Sequence, residues 1–217
     1  MTIIDLQRQI GATPDGKWAP TSRAALLAHF SNRPGTPLSP ADLAGACTRL
    51  ACTVGQLQAV RQVEASGRGF DSAGRPKILF ERHKFHGFTG GRFSPAPYSM
   101  AQSGGYDVPS WTKLADAIGT GAVDAAFMAC SWGAFQVLGE YWSTLLYQSP
   151  YALARACSQD EAGQLDLLIR YIEHFRLQDE LRALSPNPET CRAFARAYNG
   201  PRYEVGGYHT KLAQALR

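Results

Sequence analysis

Among the acidic residues, Glu64 stands in the setting best suited to chemistry. Read as a helix, residues 54–67 place Leu57, Val60 and Glu64 at i, i+3 and i+7, on one face. That face turns toward a core or a cleft floor, where an ionised carboxylate is expensive to keep. Gly67 and Gly69 follow at once, so the acid falls in the last turn, near the negative end of the helix dipole. Both effects raise a carboxyl pKa. An acid held protonated near neutral pH is what cleavage of a glycosidic bond needs as its proton donor. A structural ion pair of Glu64 with Arg61 or Arg68 is the competing reading. Glu81 and Asp71 are the candidates for a second carboxylate. An ion pair with an Arg competes for Glu81, and ordinary turn chemistry competes for Asp71 beside Gly74.

The elements that must position these groups are mostly helical. Ile3, Leu6 and Ile10 mark a first helix, and Thr21 or Ser22 is placed to cap a second through Leu26, Leu27 and Phe30. A Pro/Gly-rich connector, residues 32–40, is the best domain boundary, giving a short helical segment 1–35 and a main domain 36–217. Ser39-Pro40 opens the next helix. Residues 69–85 read as a small antiparallel hairpin. Its second strand carries Ile78, Phe80 and Arg82 on one face and Leu79, Glu81 and His83 on the other. Residues 86–110 read as an ordered loop. Helices follow at 111–118 and 121–129, then a long one capped by Ser158 with Glu161, and a final long one capped by Asn187. The fold class is therefore mainly α (α+β): a helical domain with one small β-hairpin, preceded by the short helical segment.

Composition narrows the classes. A chain of 217 residues with 45% hydrophobic and 18% charged residues is long enough for a proper core and is neither disordered nor membrane-embedded. No run approaches the ~18 apolar residues of a membrane span. The N-terminus lacks a basic region followed by an apolar core, so the expectation is synthesis in the cytoplasm without a signal peptide. A net charge of +4 suits an anionic partner, yet no dense Lys/Arg run interleaved with aromatics points to nucleic acid. The five cysteines, with no C-x-x-C pair, read as reduced and mostly buried thiols. Glu81, His83 and His86 lack metal-ligand spacing, and no metal or cofactor is expected. Cys130 sits in an Ala/Met-rich stretch and reads as core rather than nucleophile.

Three strings carry a resemblance when taken together: Glu64-Ala65-Ser66-Gly67, Gly133-Ala134-Phe135-Gln136 and Ala197-Tyr198-Asn199-Gly200. In this order they resemble the goose-type lysozyme and soluble lytic transglycosylase superfamily. A closer match runs over roughly residues 40–217. Val63-Glu64, Gly74 to His83 with its Leu-Phe-Glu-Arg-His string, Ser131-Trp132-Gly133-Ala134-Phe135-Gln136-Val137-Leu138-Gly139, and Tyr198-Asn199-Gly200-Pro201 resemble the N-acetylmuramidase family of phage endolysins. That family commonly ends in Tyr-Asp-x-Lys-Leu-Ala, and this chain has Tyr208-His209-Thr210-Lys211-Leu212-Ala213. Leu6-Gln7-Arg8 and Asp15-Gly16-Lys17-Trp18-Ala19-Pro20-Thr21 resemble the repeat of peptidoglycan-binding modules, with Ala19 where that pattern has Gly.

The resemblance implies a lysozyme-like fold and hydrolysis of the β-1,4 bond between N-acetylmuramic acid and N-acetylglucosamine. Bacterial peptidoglycan is then the partner. It implies Glu64 as general acid. Glu81, which the hairpin could fold over the cleft, is the first candidate for a second catalytic carboxylate, ahead of Asp71, and Ser131, Gln136, Tyr198 and Asn199 are the expected substrate contacts. Loop-internal hydrogen bonding competes for Ser131 and Gln136, core packing for Tyr198, and helix termination for Asn199. Trp111, Trp132, Tyr98 and Tyr106 are candidates to stack on sugar rings. A monomer is expected, released to the cell wall or periplasm by another factor. Two other functions fit the same residues. A lytic transglycosylase would leave 1,6-anhydromuramic acid ends, and a wall-binding or virion protein would have no catalysis.

Overall fold

The computed structural model describes residues 1–31, 35–65 and 68–217, the side chain of Ala65 excepted. Two helices form its N-terminal edge, α1 (Ile3–Gln9) and α2 (Pro20–His29). Thr2 caps α1 in a reciprocal box with Asp5. Neither Thr21 nor Ser22 caps α2. The helix starts one residue earlier, at Pro20, where proline's missing N–H is one of the unpaired donors anyway, and Ala19 offers no side-chain cap. Ser22 is instead buried, donating toward Lys17 and accepting from the Gln7 amide at 3.0 Å. Residues 32–34 of the 32–40 connector expected from composition lie outside the described residues.

Helix α3 (Pro40–Leu50) opens on Ser39, which forms a second capping box with Asp42. Helix α4 (Val54–Ala65) carries the Glu64 stripe: Leu57 and Val60 are fully buried, and Glu64 is partly exposed at its far end. Gly67, expected to end this helix, lies outside the described residues.

The sheet differs from the expected local hairpin. Strand β1 (Ile78–Phe80) pairs antiparallel with β2 (Cys130–Trp132), in the register Ile78 to Trp132, Leu79 to Ser131 and Phe80 to Cys130. Strand β2 pairs in turn with β3 (Val137–Leu138). Residues 70 and 76 make a single antiparallel bridge, all that is formed of the 69–85 hairpin. The ladder with β2 runs one hydrogen bond past Phe80 before the chain turns into a helix. Phe80 N–H bonds Ser110 Oγ at 3.0 Å and Glu81 N–H bonds the Ala129 carbonyl at 2.8 Å. Glu81 then becomes the N-cap position of α5 (Arg82–Phe88), so Arg82 and His83 are helical rather than strand residues.

After an irregular 89–109 segment come α6 (Ser110–Ile118) and α7 (Val123–Met128), then the sheet strands β2 and β3 around a 3-10 turn at Gly133–Phe135. Helix α8 (Pro150–Cys157) precedes α9 (Glu161–His174). The cap of α9 is Asp160, accepting from Gly163 N–H at 2.7 Å, and not Ser158. Ser158 is turned back onto α8, where its hydroxyl donates to the Arg155 carbonyl at 2.8 Å. Glu161 is thereby released for a longer reach, described below. Helix α10 (Gln178–Arg182) is short. Asn187 caps a 3-10 turn at Pro188–Cys191 that leads into α11 (Arg192–Asn199), and α12 (Tyr208–Ala215) ends the chain.

One apolar core runs from Leu6, Leu26 and Phe30 through Trp111, Phe127 and Trp132 to Phe194 and Leu212. Phe30 is the joint with the N-terminal helices, its ring 5.4 Å from Trp111 and 6.0 Å from both Phe127 and Trp132. Trp18 Nε1 adds a 2.7 Å bond to the Ala115 carbonyl, and Arg23 pairs with Asp116. The cysteines are free, with Cys130, Cys157 and Cys191 buried and Cys47 and Cys52 partly so. No helix among the described residues is long and apolar enough to cross a membrane.

Candidate active site

Helix α4 delivers Glu64 to the junction of two cavities. One has a volume of about 800 Å³ and the other about 410 Å³, and both are lined by Glu64, Leu79 and Gln136. Together they form a cleft with the carboxyl at its waist, within the size range of small-molecule sites.

Burial drives the Glu64 pKa up from its ordinary 4.5 to about 7. A hydrogen bond from the Tyr208 hydroxyl to Glu64 Oε1 acts the other way, favouring the charged form. No ion pair involving Glu64 is found among the described residues. Arg61, one turn back, pairs instead with Glu161. Desolvation dominates the shift.

The smaller lobe gathers all the other residues expected at the site: Glu81, Ser131, Gln136, Tyr198 and Asn199 line it together with Glu64. Each arrives on a different element. Glu81 projects from the β1–α5 junction, accepts from the Tyr106 hydroxyl at 3.1 Å, and has His83 Nδ1 3.4 Å away. Ser131 comes from the central strand β2. Tyr198, on the last turn of α11, donates to the Phe135 carbonyl at 2.5 Å and so ties that helix end to the 133–135 turn. Burial and the neighbouring Glu64 carboxylate hold the Tyr198 phenol well above its ordinary pKa, so it stays a donor at any working pH.

Gln136 occupies a left-handed backbone conformation at φ 50°, unusual for a residue with a side chain. Its side-chain amide donates to the Gly133 carbonyl at 2.9 Å, closing the turn on itself. Such conformations persist where surrounding structure over-determines them, and they gather at functional sites. The turn is held from below by Gln164, which is fully buried. Its Oε1 accepts from Ala134 N–H at 2.7 Å, and its amide donates to the carbonyls of Cys157 at 2.9 Å and Gly69 at 3.3 Å. Gly133 has φ +71°, and a Cβ there would meet Gln164 at 2.7 Å. A Cβ on Gly69 would lie 2.0 Å from Gln164 Oε1. Glu161, one turn before Gln164, accepts from Gly69 N–H at 2.9 Å. The backbone just beyond Glu64 is therefore gripped at both its N–H and its carbonyl by α9.

Asp71 does not share the smaller lobe. It lines the larger one, where its Oδ1 accepts from the N–H groups of Ala73 and Arg75 and its Oδ2 pairs with the Arg75 guanidinium at 2.9 Å. Those bonds make it a turn-forming residue. Of the candidate aromatics, Trp132 is buried in the core and Tyr98 packs on Phe85; Trp111 lines the larger lobe, and Tyr106 is exposed beside Glu81. His83 lines the smaller lobe beside Glu81. No group of three or more potential metal ligands occurs among the described residues.

Tyr208 stands in the Tyr-His-Thr-Lys-Leu-Ala string, which by itself gives it no role. It opens α12 after Gly207, which stands in a left-handed conformation at φ +64°. Tyr208 and Leu212 form the buried stripe of that helix, and α12 packs along α4. The i, i+4 spacing of Tyr208 and Leu212 was the available signal.

A family model described as Muramidase: N-acetylmuramidase matches residues 53–217. Among solved structures, the crystal structure of the Burkholderia AP3 phage endolysin is similar over 99% of this chain and 92% of that chain. The two share 28% sequence identity with a TM-score of 0.73. No curated protein matches the chain.

Proposed function

The chain belongs to the N-acetylmuramidase family, and from that premise we propose that Glu64 is the general acid for the β-1,4 bond between N-acetylmuramic acid and N-acetylglucosamine. The protein is a peptidoglycan hydrolase of the endolysin type. The observation that carries the assignment is the place of Glu64, at the waist of a two-lobed cleft with no cation paired to it among the described residues. A glycan strand lying through both lobes brings one glycosidic oxygen over this carboxyl. Glu64 gives its proton to that oxygen as the bond to the sugar's anomeric carbon breaks.

Glu81 is the second carboxylate. It faces the same lobe as Glu64 and is restrained by Tyr106, whereas Asp71 is engaged by its own turn and Arg75. In this reading a water attacks the anomeric carbon and passes its proton to Glu81, leaving a reducing muramic acid end. Ser131, Gln136 and Asn199 contact the sugars in the smaller lobe, and Tyr198 braces the turn that carries Gln136. The likeness to a phage endolysin supports a phage or prophage origin, with synthesis in the host cytoplasm and release to the wall by another factor.

Mass spectrometry of digested peptidoglycan tests the reading. Reducing muramic acid ends from the wild type and none from Glu64→Gln are expected. Ends of the 1,6-anhydro type would replace hydrolysis by transglycosylation. Wall binding with no cleavage by either protein would remove catalysis altogether.

A further inference from the structure

The larger lobe takes the continuing glycan strand but not Glu81, yet it is twice the size of the lobe that holds Glu81. One of its walls comes from the N-terminal helices: Arg23 and Leu27 of α2 face into it. That helix is fixed there by Trp18 on Ala115, by Arg23 on Asp116 and by the Phe30 ring against Trp111. Another wall is the 71–77 turn, with Arg75 placed 5.6 Å over the Trp111 ring.

Charge divides the cleft at Glu64. The larger lobe is lined by Arg23, Arg75 and Lys77, with Arg75 paired to Asp71 and Arg23 to Asp116, which leaves one cation in excess of those two carboxylates, above an apolar floor that includes Leu27, Ile78 and Trp111. The smaller lobe carries Glu81 and Glu140 against Lys84. Sugar rings and their N-acetyl groups are uncharged and suit either side. The muramic acid units of peptidoglycan also carry short peptides, whose methyl groups and free carboxylates match an apolar floor with an arginine rim.

We propose that the larger lobe is a subsite for a peptide-bearing muramic acid unit, with α2 as one of its walls. The N-terminal segment then acts in substrate selection inside the cleft, whatever affinity it has for intact wall. This rests on the reading of Glu64 as the catalytic acid.

The test compares two soluble substrates: peptidoglycan glycan fragments with their stem peptides, and the same fragments after the peptides have been removed enzymatically. The wild type is expected to show kcat/KM about tenfold higher on the peptide-bearing fragments, a preference that shrinks as salt is raised because it is carried by partly exposed charge. Arg75→Gln, Arg23→Gln and Leu27→Asp, which sets a carboxylate on the α2 wall, should each reduce that ratio, chiefly through KM. Thermal midpoints identify any variant that has lost its fold, and the wild-type salt series stands without the variants. A wild type that cleaves both substrates equally overturns the subsite, as does a preference insensitive to salt and to all three substitutions. A wild type that cleaves neither substrate overturns the catalytic reading instead.

Discussion

The hydroxyl of Tyr208 donates to Glu64 Oε1 across 144 positions of sequence, joining α12 to the end of α4. The bond stabilises the charged carboxylate while burial destabilises it, and burial dominates. Tyr208→Phe is therefore expected to raise the Glu64 pKa further, so that the alkaline limb of the kcat–pH profile moves to higher pH. Loss of the orienting bond should lower kcat by roughly tenfold at the same time. A pH profile of the variant decides: a limb that stays in place removes Tyr208 from the control of this acid.

Glu64→Gln should abolish turnover, with a loss of about 10²–10⁴-fold typical of a missing general acid. Stability should move the other way. The folded carboxyl pKa, about 7, lies above its ordinary 4.5, so the folded chain binds the proton more tightly than the unfolded one. The contribution of this group to stability is full below the ordinary pKa and is lost as pH rises through about 7, a difference of about 3 kcal/mol at most. Denaturant melts of wild type and variant should therefore diverge between pH 5 and pH 8, the variant gaining as pH rises. Parallel curves would contradict a buried, protonated Glu64.

Glu81 and Asp71 should separate cleanly. Glu81→Gln is expected to depress kcat by about 10²-fold or more with little change in melting, because its partners are an exposed tyrosine and a histidine. Asp71→Asn weakens the Arg75 pair, and its effect should appear as roughly 1 kcal/mol of lost stability. Full activity in Glu81→Gln would point to chemistry that needs a single acid.

Gln164→Ala leaves the Ala134 N–H and the carbonyls of Gly69 and Cys157 without their partner in a buried site. A loss of about 2–4 kcal/mol is expected. Gly69→Ala pushes against the same side chain and should cost about 2 kcal/mol. Urea unfolding measures both; the double variant should lose less than the sum, since the two residues share one contact.

The helices were legible where a cap or an apolar stripe marked them. Ser39 and the Leu57–Val60–Glu64 face are cases in point, and the Glu64, Ser131, Gln136, Tyr198 and Asn199 strings all converge on one lobe. Pairing was not legible. Ile78–Phe80 has the alternation of a hairpin strand, but its partner lies about fifty positions onward, and nothing local distinguishes that choice. Ser158 was the cap expected for the long helix, and the backbone instead puts Asp160, two residues on, in the capping position. The role of Tyr208 was not legible although its string stood out, because α12 has no side-chain cap and is only eight residues long, so its stripe is two turns of pattern. The pKa of Glu64 was foreseeable in direction from burial alone.

Gln164 makes the cleft indivisible in a practical sense. It touches the backbone following the Glu64 helix, the turn carrying Gln136 and the end of α8, and its own helix supplies Glu161 to the first of these. A chimera that joins this chain to a relative between residues 70 and 160 would inherit Gly69 from one parent and its two clasping side chains from the other. Crossovers in that interval should yield functional proteins only when both parents carry a glycine and a glutamine at these places. A junction among residues 32–35, by contrast, leaves the clasp whole and divides the chain where the N-terminal helices, with the core contacts of Phe30 and the wall of α2, meet the rest.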